Sequence, residues 1–275
     1  MKISLFAASI RPHFWNRFLD SLKSNTYDYE VVFTGFIDDA LVKEFTDQYK
    51  EFRYIRTGDV KPAQCYEIAR RACKGLLVGW CSDDCTFSEG ALDKIYNFSI
   101  HQPYQTVIAI KNVDPECENN DLNTQRFFPR NLNTPQMAVT GFMHRGYLDK
   151  LGGFDRRYVY GKFESDLCMR VLSDGGKIIK YEDVTINIEH TMKNGDYTND
   201  WSGVNQDSET LENSWVIGGY KEFEKPIVAF EPSGKPVPYY PITNREVTLK
   251  RNDVFEPYDY VDILNKSQSI NTRWI

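Results

Sequence analysis

The chain has 275 residues, 41% apolar and 26% charged, the balance of an ordinary soluble globular protein and not of a disordered one. That length suffices for one large α/β domain or a core with a small appendage, and it favours an enzyme over an adaptor. A formal net charge of -6 offers no long-range attraction for phosphate polymers, so nucleic acid is a poor candidate partner.

The opening run Met1 to Ala8 carries one charge and a short apolar stretch. It reads as a first β-strand and not as a signal peptide, because Arg11-Pro12 ends it and no small-residue cleavage site follows. No stretch approaches the roughly 18 apolar residues of a membrane span. The expected location is the cytoplasm, with any membrane contact peripheral. Six cysteines, Cys65, Cys73, Cys81, Cys85, Cys117 and Cys168, lack C-x-x-C spacing, and most have the apolar neighbours of reduced, buried thiols.

Short apolar runs then alternate with helix-like stretches, the pattern of parallel strands joined by crossover helices. Lys2 to Ala8, Tyr29 to Thr34, Phe52 to Arg56 and Leu76 to Cys81 read as strands. Phe14 to Ser24, Asp39 to Tyr49 and Ala63 to Cys73 place apolar residues at three- and four-residue spacing, as amphipathic helices do. Ser88 is the expected N-cap of a fourth helix to about His101, and Thr106 to Ile110 reads as a further strand. Residues 112 to 135 lack a regular apolar period and read as a long loop. Gln136 to Met143 reads as a strand, Arg145 to Leu151 as a short helix and Glu164 to Ser173 as a longer one. Ile178 to Tyr181 and Thr185 to Ile188 are two further strands. Beyond residue 192 the pattern fades: Trp201-Ser202-Gly203 is turn-like, and 225 to 241 holds five prolines. The reading is a Rossmann-like α/β domain over 1–192, with a nucleotide-binding half to about 112 and an acceptor half after it. An irregular C-terminal extension over 193–275 wraps the core.

Two constellations can carry chemistry. Ser82-Asp83-Asp84 follows the apolar strand Leu76 to Cys81, and the carboxyl ends of strands in an open parallel sheet form the ligand crevice. Hard divalent cations prefer oxygen, and Mg²⁺ is often held by one or two carboxylates together with substrate phosphates. Alone, such a pair also serves as a turn or a helix cap. The second constellation runs from Gly152-Gly153-Phe154-Asp155 to Glu164-Ser165-Asp166, with two acids at the start of a helix. The helix dipole favours charged carboxylates there, whether for capping or for action as a base.

Taken in order, Ser9-Ile10-Arg11-Pro12, Ser82-Asp83-Asp84, Gly152-Gly153-Phe154-Asp155 and Glu164-Ser165-Asp166-Leu167-Cys168-Met169-Arg170 resemble the motif series of family 2 glycosyltransferases of the glycosyltransferase-A fold. The resemblance covers roughly residues 2 to 190. It implies a mainly parallel central sheet flanked by helices, a nucleotide-sugar donor, a glycan or other hydroxyl-bearing acceptor, and a Mn²⁺ or Mg²⁺ cofactor. Ala8, Ser9 and Arg11 would line the nucleotide pocket, and the stretch Lys61 to Cys65, including Gln64, would pass near the base and diphosphate. Asp83 would contact ribose or sugar, and Asp84 would ligate the metal with His190 completing its shell. Glu164 would be the catalytic base, with Asp166 supporting the helix or the acceptor. Two departures stand out: Ser82 replaces the first acid of Asp-x-Asp, and the second strand ends Phe33-Thr34-Gly35-Phe36 where the family commonly has an acid.

The resemblance implies an inverting transfer, with Glu164 taking the acceptor proton. Nucleotidyltransfer also uses strand-end acids and a divalent metal, but it favours a Gly-rich basic loop that Ala8-Ser9-Ile10-Arg11-Pro12 does not supply. A carbohydrate- or nucleotide-binding protein with a degraded site is the non-enzymatic alternative, and Ser82 is its best support.

Overall fold

The structure is a computed structural model. It describes residues 1–58, 60–113, 124–126, 136–189, 201–217, 227–230, 236–239, 249–251 and 255–257. The first half alternates β1 (Ile3–Ala8), α1 (Trp15–Ser21), β2 (Tyr29–Gly35), α2 (Asp39–Gln48), β3 (Phe52–Arg56), α3 (Pro62–Ala72) and β4 (Leu77–Trp80). There follow β5 (Cys85–Phe87), α4 (Ala91–Ser99), β6 (Thr106–Val113), β7 (Thr124–Arg126), β8 (Gln136–Ala138), β9 (Gly141–His144), α5 (Arg145–Lys150), α6 (Phe163–Ser173) and β10 (Lys177–Ile188). The described remainder contains α7 (Trp201–Ser214), β11 (Trp215–Ile217), β12 (Ile227–Phe230), β13 (Pro236–Tyr239) and β14 (Leu249–Arg251).

Eight strands form one sheet in the order β3-β2-β1-β4-β9-β6-β10-β5. Pairing is parallel from β3 to β4 and between β6 and β10, while β9 and β5 run against their neighbours. Alternation along β1 builds a core on each face. Ile3, Leu5 and Ala7 meet Trp15, Phe18, Phe45 and Leu92 on one side, and Phe6 meets Ala63, Leu148, Leu167 and Trp215 on the other. Helices α1, α2 and α4 therefore cover one face, and α3, α5, α6 and α7 the other. Trp15 touches the rings of Phe33, Phe45, Phe52 and Tyr54 at centroid separations of 5.0 to 6.0 Å. Burying one such large apolar side chain contributes about 1.5–3 kcal/mol.

Several elements differ from the sequence reading, each for a local reason. Ser88 does not cap α4; Gly90 does, in the left-handed region, while Asn25 Oδ1 takes the Leu92 and Asp93 amides from across the fold. The Ser88 hydroxyl instead accepts from Thr185 N at 3.1 Å. The single strand expected over 136–143 is two, β8 and β9. The β9 part docks on β4 through an interlock in which Gly79 faces Phe142 and Gly141 faces Trp80. A Cβ at Gly79 would lie 2.4 Å from the Phe142 ring. The two strands expected over 178–188 are one, β10, with a register shift between Tyr181 and Thr185. The loop expected over 112–135 contributes β7, which pairs with β8; 114–123 and 127–135 lie outside the described residues. The turn expected at Trp201 is the start of α7, whose end carries Leu211 and Trp215 into the core. Among the described residues no helix is long and apolar enough to cross a membrane.

Candidate active site

Parallel pairing sets Phe6 opposite Trp80, so Ser9 and Asp83 leave the sheet side by side, each the third residue beyond that pair. Ser9 Oγ donates to Asp83 Oδ2 at 2.6 Å and itself accepts from the Trp15 indole at 2.6 Å. The Arg11 guanidinium donates to Asp83 Oδ1 and reaches Asp84 Oδ2 at 3.1 Å. Asp83 and Asp84 are 1% and 2% exposed. Burial pushes Asp83 above the usual carboxylate range, and Asp84 adds to the rise, against the pull of Arg11 and Ser9. The Ser82 hydroxyl, standing where the family has an acid, donates to Asp84 Oδ1, and the Cys85 thiol closes the turn onto Ser82 O at 2.9 Å.

The far end of the sheet completes this turn. Because β5 pairs antiparallel with β10, Ile188 lies opposite Cys85, and Glu189 N donates to Asp84 O at 3.1 Å. Arg17 Nη2 donates to the same carbonyl at 3.0 Å and pairs with Glu189. His190, the expected second metal ligand, lies outside the described residues.

Helix α3 joins the acids to the later motifs through a residue the sequence reading missed. The Tyr66 hydroxyl donates to Cys81 O at 2.7 Å, and its ring lies 4.8 Å from that of Phe163, the first residue of α6. Burial, reinforced by the negative charges of Asp83, Glu164 and Asp84, raises its pKa well above that of a free phenol. Tyr66 therefore stands near both acid clusters. Nothing in its spacing separates it from the core aromatics of an amphipathic helix, so only the fold identifies it. Of the other expected nucleotide contacts, Ala8 packs against the core, Gln64 caps α3 by accepting from Lys61 N at 3.3 Å, and Lys61 is exposed with Nζ 5.7 Å from the Tyr160 ring centre.

The Gly152-Gly153-Phe154-Asp155 segment is shaped by a buried charge cluster. Glu67, fully buried, accepts twice from Arg70 at 2.7 Å, once from Arg71 at 2.7 Å, and from Phe154 N at 3.1 Å. Gly153 has φ +78, and a Cβ there would stand 2.7 Å from Glu67 and from Arg70, so no side chain fits. Asp155 is fully buried and grips Arg157 through two side-chain contacts at 3.0 and 2.8 Å. Beyond it the chain passes Lys162, left-handed at φ 64, into α6.

Glu164 and Asp166 sit in the first turn of α6 but in different settings. Glu164 is half-buried, and burial raises its pKa, as does the charge of Asp207; its hydrogen bond to backbone and Lys162 oppose the rise. A carboxyl shifted this way is better matched to accepting a proton near neutrality than a free one. Asp166 is fully buried and accepts from Arg170 Nε at 2.8 Å and Trp215 Nε1 at 2.9 Å. Of the sequence expectations for Asp166, this geometry serves support of the helix.

Among the described residues, no group of three or more His, Cys, Asp or Glu side chains is placed to hold a metal. Asp84 nevertheless already bears a cation, the Arg11 guanidinium, and its hard oxygens suit Mg²⁺ or Mn²⁺.

A mainly parallel sheet covered on both faces by helices is the architecture of the glycosyltransferase-A fold, and this chain has that fold. It is similar to S. aureus TarS, at 14% identity and TM-score 0.52, over 67% of this chain and 36% of that one. TarS 1-349 in complex with UDP-GlcNAc matches at 13% identity and TM-score 0.51, over 66% of this chain and 58% of that one. GalNAc-T7 with UDP, GalNAc and Mn²⁺ matches at 13% identity and TM-score 0.53, over 68% and 44%. The chain thus spans less than two thirds of the length of these structures. No protein-family model matches the sequence, and no curated protein does.

Proposed function

We propose that the chain is a nucleotide-sugar-dependent glycosyltransferase that moves a sugar to an acceptor hydroxyl with inversion, in glycan or polysaccharide synthesis. The observation that carries the reading is the placement of Arg11, Asp83 and Asp84 at the carboxyl ends of β1 and β4, with Tyr66 linking them to the first turn of α6 and Glu164. Ser9 and Arg11 orient Asp83 towards the donor's ribose or sugar. Glu164 takes the proton of the acceptor hydroxyl as that oxygen bonds to the anomeric carbon and the bond from that carbon to the diphosphate breaks. A Mg²⁺ or Mn²⁺ ion on Asp84 would supply Lewis-acid stabilisation to the departing diphosphate.

Support comes from the fold, from the four motifs in order, and from the printed ligands of the similar structures, which include UDP-GlcNAc for TarS and UDP with Mn²⁺ for GalNAc-T7. A binding module without turnover is the second reading, favoured by Ser82 and by the engagement of Arg11 with both acids. Calorimetry with UDP and UDP-GlcNAc, each with and without Mn²⁺, separates the cases when paired with an assay of sugar release. Mn²⁺-dependent UDP binding that disappears in Asp84→Ala is expected. Binding unchanged in that variant removes Asp84 from the site, and binding without any sugar release favours the module.

A further inference from the structure

We infer that Asp207, in helix α7 and outside every motif of the fold, is a positioning residue that fastens the backbone ahead of Glu164 and so sets the acceptor side of the site. The inference rests on the proposed role of Glu164.

Three consecutive amides converge on one carboxylate. Val159 N donates to Asp207 at 3.0 and 3.2 Å, Tyr160 N at 2.7 Å and Gly161 N at 2.8 Å. Asp207 is fully buried. Successive amides turned to one side form a concave anion cradle, and an ionised carboxylate is the strong acceptor such a cradle suits. The cradle ends at Gly161, and the next residue is the left-handed Lys162 that opens α6. A second tether follows directly after α7: Trp215 Nε1 donates to Asp166 Oδ1 at 2.9 Å. Glu164 therefore lies between two points, Gly161 and Asp166, that the same stretch of chain holds. The cradle also meets the donor side, because Ala63 N at the start of α3 donates to Val159 O at 2.9 Å. Displacement of the 159–161 backbone would shift the base relative to the acids.

Asp207 also acts on Glu164 through charge. Among the described residues, the charged and titratable groups set around Glu164 include Lys162 in the approach to α6, Asp207 on α7, Tyr66 on α3 and Cys168 one turn along α6. Lys162 favours the ionised carboxylate and Asp207 opposes it. Neutralising Asp207 without changing its shape should lower the pH at which Glu164 ionises.

The test uses the full chain with Asp207→Asn and Asp207→Ala, followed by amide hydrogen exchange over residues 158–164. Loss of a charge-assisted acceptor should speed exchange of Val159 to Gly161 by about tenfold or more in Asp207→Asn, while amides of β1 and β4 keep their protection. The affinity for UDP with Mn²⁺ should stay within twofold, because the donor acids are untouched. With UDP-GlcNAc as donor probe, kcat should fall more than KM changes, and the acidic limb of the pH profile should move to lower pH. Unchanged exchange in a folded Asp207→Asn overturns the clamp. Faster exchange with an unmoved acidic limb reduces Asp207 to a structural contact and overturns its link to Glu164. If Asp207→Ala does not fold, the near-isosteric Asn variant carries the test alone. A wild-type chain that turns over no donor sinks the glycosyltransferase reading and the positioning role with it, whereas the exchange data still decide the clamp.

Discussion

On one side of the candidate site, Ser9, Arg11, Asp83 and Asp84 follow the ends of the adjacent strands β1 and β4 and hold one another through side-chain hydrogen bonds and ion pairs. On the other side, the approach to Glu164 is held through its backbone amides by a carboxylate 48 residues further along the chain. A cluster on neighbouring parallel strands is assembled once those strands pair in register. A loop clamped by a distant helix is assembled only when the far end of the chain has docked. The acid cluster is thus a property of the sheet, and the approach to Glu164 a property of the whole fold. Phe255 shows the same dependence: a Cβ on Gly152 would come within 2.5 Å of its ring, and Arg156 N donates to Glu256 O at 2.9 Å.

The division can be broken at Glu164. Glu164→Gln should lower transfer by about 10²- to 10⁴-fold, the usual contribution of a positioned base, with donor affinity unchanged in calorimetry. Parallel loss of donor affinity would show that the two sides are not separable. Next in size is Glu67, which belongs to both sides because it joins α3 to Phe154. Removing one member of a buried, paired cluster leaves charges uncompensated, so Glu67→Ala should cost about 3–5 kcal/mol in urea unfolding. A cost within the range of surface substitutions would mean that Arg70 finds another partner.

A smaller effect concerns pH. The folded-state pKa of Glu164 is raised above the ordinary value of 4.5, so the folded chain holds that proton more tightly than the unfolded one. Stability from this group is accordingly lost as pH climbs from 4.5 through the raised folded value. Glu164→Gln removes the loss, and its melting temperature should exceed the wild type's at neutral pH and converge with it at acid pH. An equal difference at all pH values would assign the effect to packing. At the bottom of the scale lies the Lys43–Asp47 pair on α2, 71% and 64% exposed and far in character from either cluster. Lys43→Ala should change stability by no more than about 0.5 kcal/mol.

As far as β4 the helices were legible because each buries one face on the sheet at three- and four-residue spacing, and the strands because they are short apolar runs covered on both faces. The expected site residues Ser9, Arg11, Asp83 and Asp84 were legible by motif, and the structure brings them together. Their attachment to one another was not, since it depends on the β1–β4 register. Tyr66 and Arg17 left no signal, because an aromatic or a charge on an amphipathic helix looks the same whether it faces core, solvent or site. Helix α7 was hidden by Ser202-Gly203 and a polar middle, and Leu211 and Trp215 alone hint at the face it buries. Asp207 reads locally as one more solvated acid.

The sequence by itself determined the α/β class, the order of the motifs, the strand ends that carry the acids and the helix start that carries Glu164. These follow from local periodicity and from residue chemistry within a few positions of one another. Tertiary structure alone decided that Arg11 bears on both acids, that Asp166 is a buried support, and that Asp207 holds the approach to Glu164. Each of those depends on a hydrogen bond or ion pair, and such contacts are directional and short-ranged, so their partners are chosen by the fold and not by distance along the chain.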